Sequence, residues 1–244
     1  CAAQKRGPLG SECRFRLLNI RAGTYGVIRG ARSFLAGAVR RSETSMPDFA
    51  YLFEKIILRA TDLELGTCWL GGPFNRSEFA GRMGLAEDEI LPAASPVGYS
   101  PARRSNLDRI IHKFAGAKNR KDWQDLFFDN DFAHPLGRKE AGDFSACLEM
   151  VRLAPSASNR QPWRIIKERN KNVFHFFLLR TRGYRMLTRI DLQRLDMGIA
   201  MCHFELTAET LNIAGGWLKS RPVRPSLVKT AGRAEYVVSW AEKE

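Results

Sequence analysis

Residues 154–167 have the sequence APSASNRQPWRIIK, a polar loop stiffened by two prolines that leads directly into a short apolar strand. Shifting the sequence by 148 residues places FRLL, at residues 15–18, on WRII, at residues 163–166. The same shift, without a gap, aligns further pairs, which are Asp48 with Asp196, Leu58 with Leu206, Ala60 with Ala208, Leu63 with Leu211, and Trp69-Leu70 with Trp217-Leu218. These matches predict an internal repeat that organises the chain.

The predicted strands follow the same repeat. Residues 14–18 and 163–167 predict a first strand in each copy. Residues 25–28 and 173–179 predict a second strand, because they are rich in β-branched and aromatic residues. Each copy therefore begins with two short strands.

A long helix follows the strands in each copy. Apolar residues recur at helical spacing over residues 48–65 and again over residues 196–213. Asp48, which follows a proline, and Asp196 stand where a helix N-cap is expected. The sequence thus predicts one α+β unit used twice.

The repeat suggests how the chain is arranged. We expect an amino-terminal half at residues 1–128 and a carboxyl-terminal half at residues 129–244. Each long helix has an apolar face that the other half could cover, which predicts a monomer with an internal pseudo-dimer. A cleft between two such halves would be the default ligand site.

Composition excludes several classes of protein. The 244 residues are 44% hydrophobic, 27% charged and 10% aromatic, which argues against a disordered chain, a collagen or a coiled coil. The formal net charge of +13 should attract anions such as phosphates. No apolar run approaches the roughly 20 residues that a membrane-spanning helix needs.

Other features bear on compartment and metal content. The amino terminus has no apolar signal region and no initiating Met, so we expect a cytoplasmic protein given as a fragment or processed form. Five scattered cysteines without a CxxC pair argue against a disulfide framework. The four histidines form no metal-spaced pair, so no protein-bound metal is predicted.

Three segments have the composition of ligand-binding loops. The loop at residues 154–163 follows a predicted helix (144–153) and offers hydroxyl and amide groups, although a plain helix-to-strand connector would use similar residues. Paired glycines at residues 71–72 would let a ligand approach the backbone, or simply form a turn. Adjacent Arg103 and Arg104 could bind phosphate oxygens, or lie in a solvated basic stretch.

Together these segments resemble the FMN-dependent nitroreductase family, in particular a subgroup in which two nitroreductase-like halves are fused in one chain. The loop Pro155-Ser156-Ala157-Ser158-Asn159-Arg160-Gln161-Pro162-Trp163 looks like the family's PSxxNxQPW flavin-contacting loop. Residues 23–31, residues 65–72 and residues 91–104 resemble, in turn, a strand of the fused subgroup, the segment that passes the flavin ring, and the strand leading to phosphate-binding arginines. The resemblance covers about residues 15–240.

The resemblance implies a function and a set of site residues. It implies an FMN-dependent oxidoreductase that passes hydride from NAD(P)H to a small electron-poor acceptor, such as a nitroaromatic or quinone. The cofactor-binding residues that it implies are Leu70, Gly71, Gly72, Arg103, Arg104, Pro155, Ser156, Ala157, Ser158, Asn159 and Gln161. It implies no catalytic nucleophile or general base in the protein.

Two departures from the family pattern matter. The arginine-rich RRSxR element that usually opens the family's first helix is not in this sequence. In the first repeat, residues 7–12 (GPLGSE) correspond to the flavin loop but lack its Asn and Gln-Pro-Trp. We therefore expect at most one flavin site.

Two other functions stay open. A flavin-binding protein without turnover would fit the missing arginine element. Nucleic-acid binding would fit the net charge and the basic stretches at residues 14–41 and 103–121, but no helix-turn-helix, RRM or zinc-finger pattern is present. We therefore expect neither a nucleic acid nor a membrane as partner.

Overall fold

The computed structural model describes residues 3–20, 28, 30–72, 74–99, 119–181, 190–218 and 233–243. The strands within them are β1 (Ala3–Arg6), β2 (Glu12–Asn19), β3 (Ser33–Arg40), β4 (Gly66–Thr67), β5 (Glu89–Ile90), β6 (Ala94–Gly98), β7 (Phe127–Asp129), β8 (Trp163–Lys167), β9 (Val173–Leu179), β10 (Gly215–Leu218) and β11 (Ala234–Glu242). The helices are α1 (Ser45–Asp62), α2 (Arg76–Met83), α3 (Trp123–Leu126), α4 (Arg138–Ala141), α5 (Ser145–Leu153) and α6 (Leu192–Thr210), with 3₁₀ turns at Gly142–Phe144 and Ala157–Asn159. None of the helices in these ranges is long and apolar enough to span a membrane.

The chain divides into two compact units. The first consists of Cys1–Arg109 with Arg185–Leu195, and the second of Ile110–Tyr184 with Asp196–Glu244. Each unit has its own sheet and its own buried core. The predicted halves at residues 1–128 and 129–244, and their pairing as a pseudo-dimer, stay predictions.

The sheet of the first unit has the order β1-β2-β3-β6-β4, with β5 also pairing with β3. All of these pairs are antiparallel. Phe15 of β2 packs on Phe49 and Phe53 of α1, with ring centroids 5.5 and 5.8 Å away. A Cβ at Gly37 of β3 would lie 2.5 Å from the Phe15 ring, so the glycine makes room for this aromatic packing.

The sheet of the second unit has the order β10-β11-β9-β8-β7. Its pairs are antiparallel except for β7 with β8, which is parallel. Phe174 of β9 packs on Phe144 and Phe204, with centroids 4.7 and 5.0 Å away, and Trp240 of β11 lies 5.2 Å from Phe204. Burial of each such ring stabilises the fold by about 1.5–3 kcal/mol.

The repeat found in the sequence has a structural counterpart. The strand order β4-β6-β3-β2 of the first sheet corresponds to β10-β11-β9-β8 of the second. The long helices α1 and α6 follow the sequence offset to within one residue at both ends. The α+β prediction is therefore confirmed, and the fifth strand is where the sheets differ, since β1 is antiparallel to β2 whereas β7 is parallel to β8.

The predicted helix N-caps are wrong. Helix α1 begins at Ser45 after Thr44, which places Asp48 inside its first turn. The fully buried Asp48 carboxylate instead accepts hydrogen bonds from the backbone N–H groups of Leu9 and Ser11, both at 2.7 Å. Asp196 likewise lies inside α6 rather than before it. Asp196 accepts a hydrogen bond from the backbone N–H of Ala157 at 2.9 Å, so each aspartate binds a loop that is distant in sequence.

Most of the predicted strands are confirmed. Strand β2 contains the predicted residues 14–18, and β8 and β9 match the predicted residues 163–167 and 173–179. The predicted strand at residues 25–28 lies outside the described residues except for Ile28, which is in a bend. Strand β3 is an additional strand that the sequence analysis missed, and it occupies a central place in the first sheet.

A buried polar network joins strands β9 and β11 of the second sheet to Glu168, the residue that follows β8. His175 of β9 contacts Ser239 Oγ through Nδ1 at 2.7 Å and Glu168 Oε1 through Nε2 at 3.0 Å. The Tyr236 hydroxyl lies 2.8 Å from Ser239 Oγ. Burial opposes ionisation of Glu168, but its contacts with His175 and Lys171 leave the pKa of this carboxyl below its usual value. Because Ser239 is only 2% exposed, the network lies inside the sheet, where its hydrogen bonds stabilise the strand pairing.

Candidate functional site

The loop at residues 155–161 joins the end of α5 to the start of β8 in the second unit. Three of its non-glycine residues have left-handed backbone conformations: Ser158 at φ 50°, Asn159 at φ 52° and Gln161 at φ 46°. Such conformations cost of order 1 kcal/mol each, and they persist only where surrounding contacts fix them. The predicted flavin loop is therefore a strained segment that needs support.

One set of contacts comes from helix α6 and from the loop itself. The Asp196 carboxylate accepts a hydrogen bond from the backbone N–H of Ala157 at 2.9 Å. The Ser156 hydroxyl accepts from the backbone N–H of Gln161 at 2.9 Å, and the Ser156 carbonyl accepts from the N–H of Asn159 at 2.9 Å. These bonds close the loop into a compact turn.

A second set of contacts comes from residues 119–121, which we call the strap. Arg120 donates to the Asn159 side-chain oxygen at 2.6 Å, and it donates twice to the carbonyl of Leu153, at 3.2 and 2.9 Å. The backbone N–H of Lys121 donates to the Gln161 side-chain oxygen at 2.8 Å. The strap thus holds both ends of the loop.

Positive charge surrounds the base of the loop. Burial lowers the pKa of Lys121, and the neighbouring Arg164 and Arg160 lower it further, although Asp125 opposes them. Arg164 is 8% exposed and donates to the carbonyl of Gln161 at 3.1 Å. An anion beside the loop would meet this charge in a partly desolvated setting, which strengthens the attraction.

The glycine segment at residues 70–72 lies in the first unit. Leu70 forms a two-hydrogen-bond bridge with Ala94, at 2.8 and 3.1 Å, and its side chain is buried in the apolar core. A Cβ at Gly71 would lie 2.7 Å from Leu192, whereas a Cβ at Gly72 would meet nothing within 4 Å. Gly72 is therefore the position of this segment where the described structure leaves the backbone open to approach.

An arginine fixes the glycine segment. Arg76, in the first turn of α2, donates to the carbonyls of Gly71, Gly72 at 3.4 Å, Leu91 at 3.3 Å and Pro92 at 2.9 Å. Its guanidinium also stacks over the Phe74 ring, 4.5 Å from the centroid. Burial lowers the pKa of Arg76. The side chain thus acts as a clamp on the backbone around Gly71 and Gly72.

The residue before this segment is also held in place. The indole N–H of Trp69 donates to the buried carboxylate of Glu54, in α1, at 2.7 Å. The Trp69 ring meets Phe53 edge to face, with centroids 4.8 Å apart. These contacts hold Trp69, the residue before the glycine segment, in a defined position.

The predicted site residues fall into three groups. Leu70, Gly71 and Gly72 lie together in the first unit. The second unit contains the loop residues Pro155, Ser156, Ala157, Ser158, Asn159 and Gln161. Arg103 and Arg104 lie outside the described residues. Their roles in binding a cofactor stay predictions.

Sequence reasoning missed two arginines at the candidate site, Arg76 and Arg120. Both donate mainly to backbone carbonyls, which leave no trace in sequence pattern. The only available signal was position, since Arg76 follows the paired glycines by a few residues. Arg120 is more than thirty residues before the loop that it holds, so no local motif could indicate it.

Comparison with known proteins identifies the family. Residues 18–208 match the family described as "Putative TM nitroreductase". The crystal structure of "a putative nitroreductase" from Thermotoga maritima is similar over 93% of this chain and 74% of that chain, with a TM-score of 0.54 and 17% identity. Another, "a putative nitroreductase" from Anabaena variabilis, is similar over 89% and 70%, with a TM-score of 0.50 and 8% identity.

These two structures bear on the fold alone, because their identity to this chain is low. A search of curated proteins found no match. The match to the family covers most of the chain and includes both the glycine segment and the loop at residues 155–161. The chain therefore has a nitroreductase-like α+β fold and belongs to the nitroreductase family.

Proposed function

We propose that this protein is an FMN-dependent oxidoreductase that uses NAD(P)H to reduce a small electron-poor acceptor, such as a nitroaromatic or a quinone. The observation that supports this most is the loop at residues 155–161, which resembles the family's flavin loop and is held in a strained, defined conformation. Membership of the nitroreductase family supports an oxidoreductase. NAD(P)H as donor and the acceptor class come from the family resemblance.

Positive charge and an open backbone support the proposed flavin. Lys121 and Arg164 supply positive charge at the base of the loop, and Gly72 leaves its backbone open. A planar polar ring needs such close backbone approach, and a phosphate needs such charge. The residues that we propose to form the FMN site are Leu70, Gly71, Gly72, Arg103, Arg104, Pro155, Ser156, Ala157, Ser158, Asn159 and Gln161.

In the proposed reaction, the cofactor supplies the hydride transfer and the protein binds and orients the ligands. FMN, when bound, supplies the hydride transfer from NAD(P)H to the acceptor. The rigid loop backbone offers N–H and C=O groups to orient a flat polar ligand. Arg103 and Arg104 are proposed to bind the phosphate. No side chain of the protein needs to act as nucleophile or general base.

The direct test is whether the purified protein binds FMN and turns over. We expect a yellow protein that absorbs in the flavin band, releases FMN on denaturation and oxidises NADPH or NADH in the presence of a quinone. Protein that neither retains nor binds added FMN would overturn the proposal. Binding of FMN without turnover would favour the flavin-binding alternative, and a salt-sensitive shift of duplex DNA would favour the nucleic-acid alternative.

A paired variant tests the proposed phosphate contacts. We expect R103A/R104A to weaken FMN affinity about tenfold to a hundredfold, because a dianionic phosphate loses charge-assisted partners. The matched control is R40A/R41A, which removes two adjacent, exposed arginines and the same charge. Circular dichroism checks that both variants fold. Equal FMN affinity in the two variants would remove Arg103 and Arg104 from the site.

A further inference from the structure

The two amide side chains of the loop motif are engaged by the protein itself. Asn159 accepts from Arg120 at 2.6 Å through Oδ1 and donates through Nδ2 to the carbonyl of Asn119 at 2.6 Å. Gln161 accepts from the backbone N–H of Lys121 at 2.8 Å and donates to the side-chain oxygen of Asn159 at 3.0 Å. Four groups that could have faced a ligand are thus used to hold the strap against the loop.

The burial of Gln161 also indicates that its side chain holds the strap and does not face a ligand. Gln161 is 1% exposed, so its side chain has no surface to present to a ligand. Its NH₂ group donates to the carbonyl of Asn159 at 3.1 Å and to that of Asn119 at 3.4 Å, besides the contact with the Asn159 side chain. An amide offers two donors and one acceptor oxygen, and these contacts occupy them.

The strained loop needs these contacts with the strap, which we call the lock. Ser158, Asn159 and Gln161 are all held in left-handed backbone conformations that a free loop would leave. Arg120 ties Asn159 to the carbonyl of Leu153, the last residue of the preceding helix. A planar guanidinium with several donors in fixed directions can bridge these two points, whereas a lysine can reach only one at a time.

The first unit holds its corresponding loop differently. There Gly10 takes the positive φ of 107° at the place that Ser158 occupies in the second unit, so no side chain is strained. Ser11 stands in place of Asn159, and its hydroxyl lies 2.8 Å from the Thr44 hydroxyl. The arginine lock thus accompanies the loop that carries the ligand motif and strained side chains.

We propose that Arg120 is a positioning residue that fixes the ligand-binding conformation of the loop, and that Asn159 and Gln161 act as parts of this lock and not as ligand contacts. The inference rests on the proposed function, because it assumes that the loop binds FMN. Direct recognition is then left to the rest of the loop. This assigns Asn159 and Gln161 a different role from the one that the family resemblance implies.

A double-mutant cycle separates the two roles of Asn159. FMN dissociation constants are measured by flavin fluorescence for the wild type, R120A, N159A and R120A/N159A. We expect each single variant to raise the FMN dissociation constant about tenfold or more. The dissociation constant of the double variant should be no higher than the higher of the two single-variant values. Effects that multiply would mean that Asn159 contacts FMN on its own, which would overturn the inference.

The matched control is R169A, which removes an exposed arginine of the same unit that pairs with Asp129 at 2.9 Å. It should leave FMN affinity within about twofold of the wild type. R120K keeps the charge but loses the planar set of donors, so it should bind FMN more tightly than R120A and less tightly than the wild type. Added methylguanidinium should recover part of the affinity of R120A. Failure of both rescues would count against positioning by the guanidinium.

A measurement without FMN keeps this test independent of the proposed function. Hydrogen exchange of the loop amides in the apo protein should be faster in R120A than in R169A, while exchange in β8 and β9 stays unchanged. Unchanged loop exchange in R120A would overturn the lock. If the wild type binds no FMN but R120A still accelerates loop exchange, the proposed function fails and the lock itself stands.

Discussion

The carboxylate of Asp196 accepts a hydrogen bond from the backbone N–H of Ala157 at 2.9 Å. At the corresponding place in the first repeat, Asp48 accepts from the backbone N–H of Leu9 at 2.7 Å. Both pairs are separated by the same number of residues, and both join a long helix to the loop before a central strand. A buried carboxylate that satisfies loop N–H groups is therefore part of the repeated unit, although the two loops share little sequence.

The first prediction concerns Asp48. We expect Asp48→Ala to lower the free energy of unfolding by about 3 kcal/mol, because two backbone N–H groups lose their acceptor in a buried setting. Urea denaturation followed by circular dichroism measures the change. Asp62→Ala, at an exposed end of the same helix, should cost less than about 1 kcal/mol. Similar losses in both variants would contradict the role given to Asp48.

These aspartates show where prediction from the sequence succeeded and where it failed. Strands β8 and β9 were predicted with their observed bounds, because runs of aromatic and branched apolar residues are a local signal. The N-cap predictions failed because the partner of Asp48 lies 39 residues away along the chain. Local pattern indicates that a helix begins near an aspartate, but it cannot indicate what a buried carboxylate binds.

Strand β3 was missed for a related reason. Its sequence, SFLAGAVR, is rich in small residues, which have weak strand propensity. The tertiary structure selects them, since Ala36 and Ala38 are fully buried and Gly37 lies against an aromatic ring. At the candidate site, the segments were predicted from their motifs, whereas Arg76 and Arg120 were not. These arginines contact backbone carbonyls that only the tertiary fold brings near them, so no sequence motif indicates the contacts.

The second prediction concerns Arg76, the clamp on the glycine segment. We expect Arg76→Ala to lower the free energy of unfolding by about 2–3 kcal/mol, because several partly buried carbonyls lose their donor. It should also weaken FMN retention if Gly71 and Gly72 contact the flavin. Thermal unfolding and flavin fluorescence measure the two effects.

The control for this clamp is Arg82→Ala. Arg82 lies on the same helix and is exposed. Its substitution by alanine removes the same charge as Arg76→Ala. Its loss should change the unfolding free energy by no more than about 0.5 kcal/mol. If Arg76→Ala unfolds at the same temperature as Arg82→Ala, Arg76 does not act as a clamp on the glycine segment.

The third prediction is a pH dependence carried by Arg14 and Glu89. The two side chains form a bidentate pair at 2.7 and 2.5 Å, and the hydrogen bond from Arg14 holds the pKa of Glu89 below its usual 4.5. A carboxyl with a lower pKa in the folded state adds stability that is complete above the unfolded value and lost as the pH falls through the folded value.

Glu89→Gln tests this dependence. We expect it to lower the free energy of unfolding by about 1–3 kcal/mol at pH 7, and the gap from the wild type should narrow as the pH falls below about 4. Denaturant titrations from pH 7 to pH 3 measure the gap. Glu12→Gln, which breaks an exposed pair with Arg6, should show a much smaller gap. A gap for Glu89→Gln that is constant with pH would refute the linkage.

The fourth prediction concerns the reactivity of the cysteines. Among the described cysteines, Cys68 is exposed, whereas Cys13, Cys147 and Cys202 are buried. Burial raises the pKa of Cys13 to about 12 and that of Cys147 to about 11, which disfavours the reactive thiolate. A thiol reagent such as DTNB should therefore label Cys68 rapidly and these buried thiols only after unfolding.

Variants and a ligand make this labelling informative about the candidate site. Cys68→Ser should remove one rapidly labelled thiol relative to the wild type, whereas Cys147→Ser should remove none until denaturant is added. Cys68 lies three residues before Gly71, so saturating FMN should slow its labelling if this segment contacts the flavin. Mass spectrometry of the labelled peptides identifies the site. Labelling of Cys68 at an unchanged rate, in protein shown to hold FMN, would place the flavin away from the glycine segment.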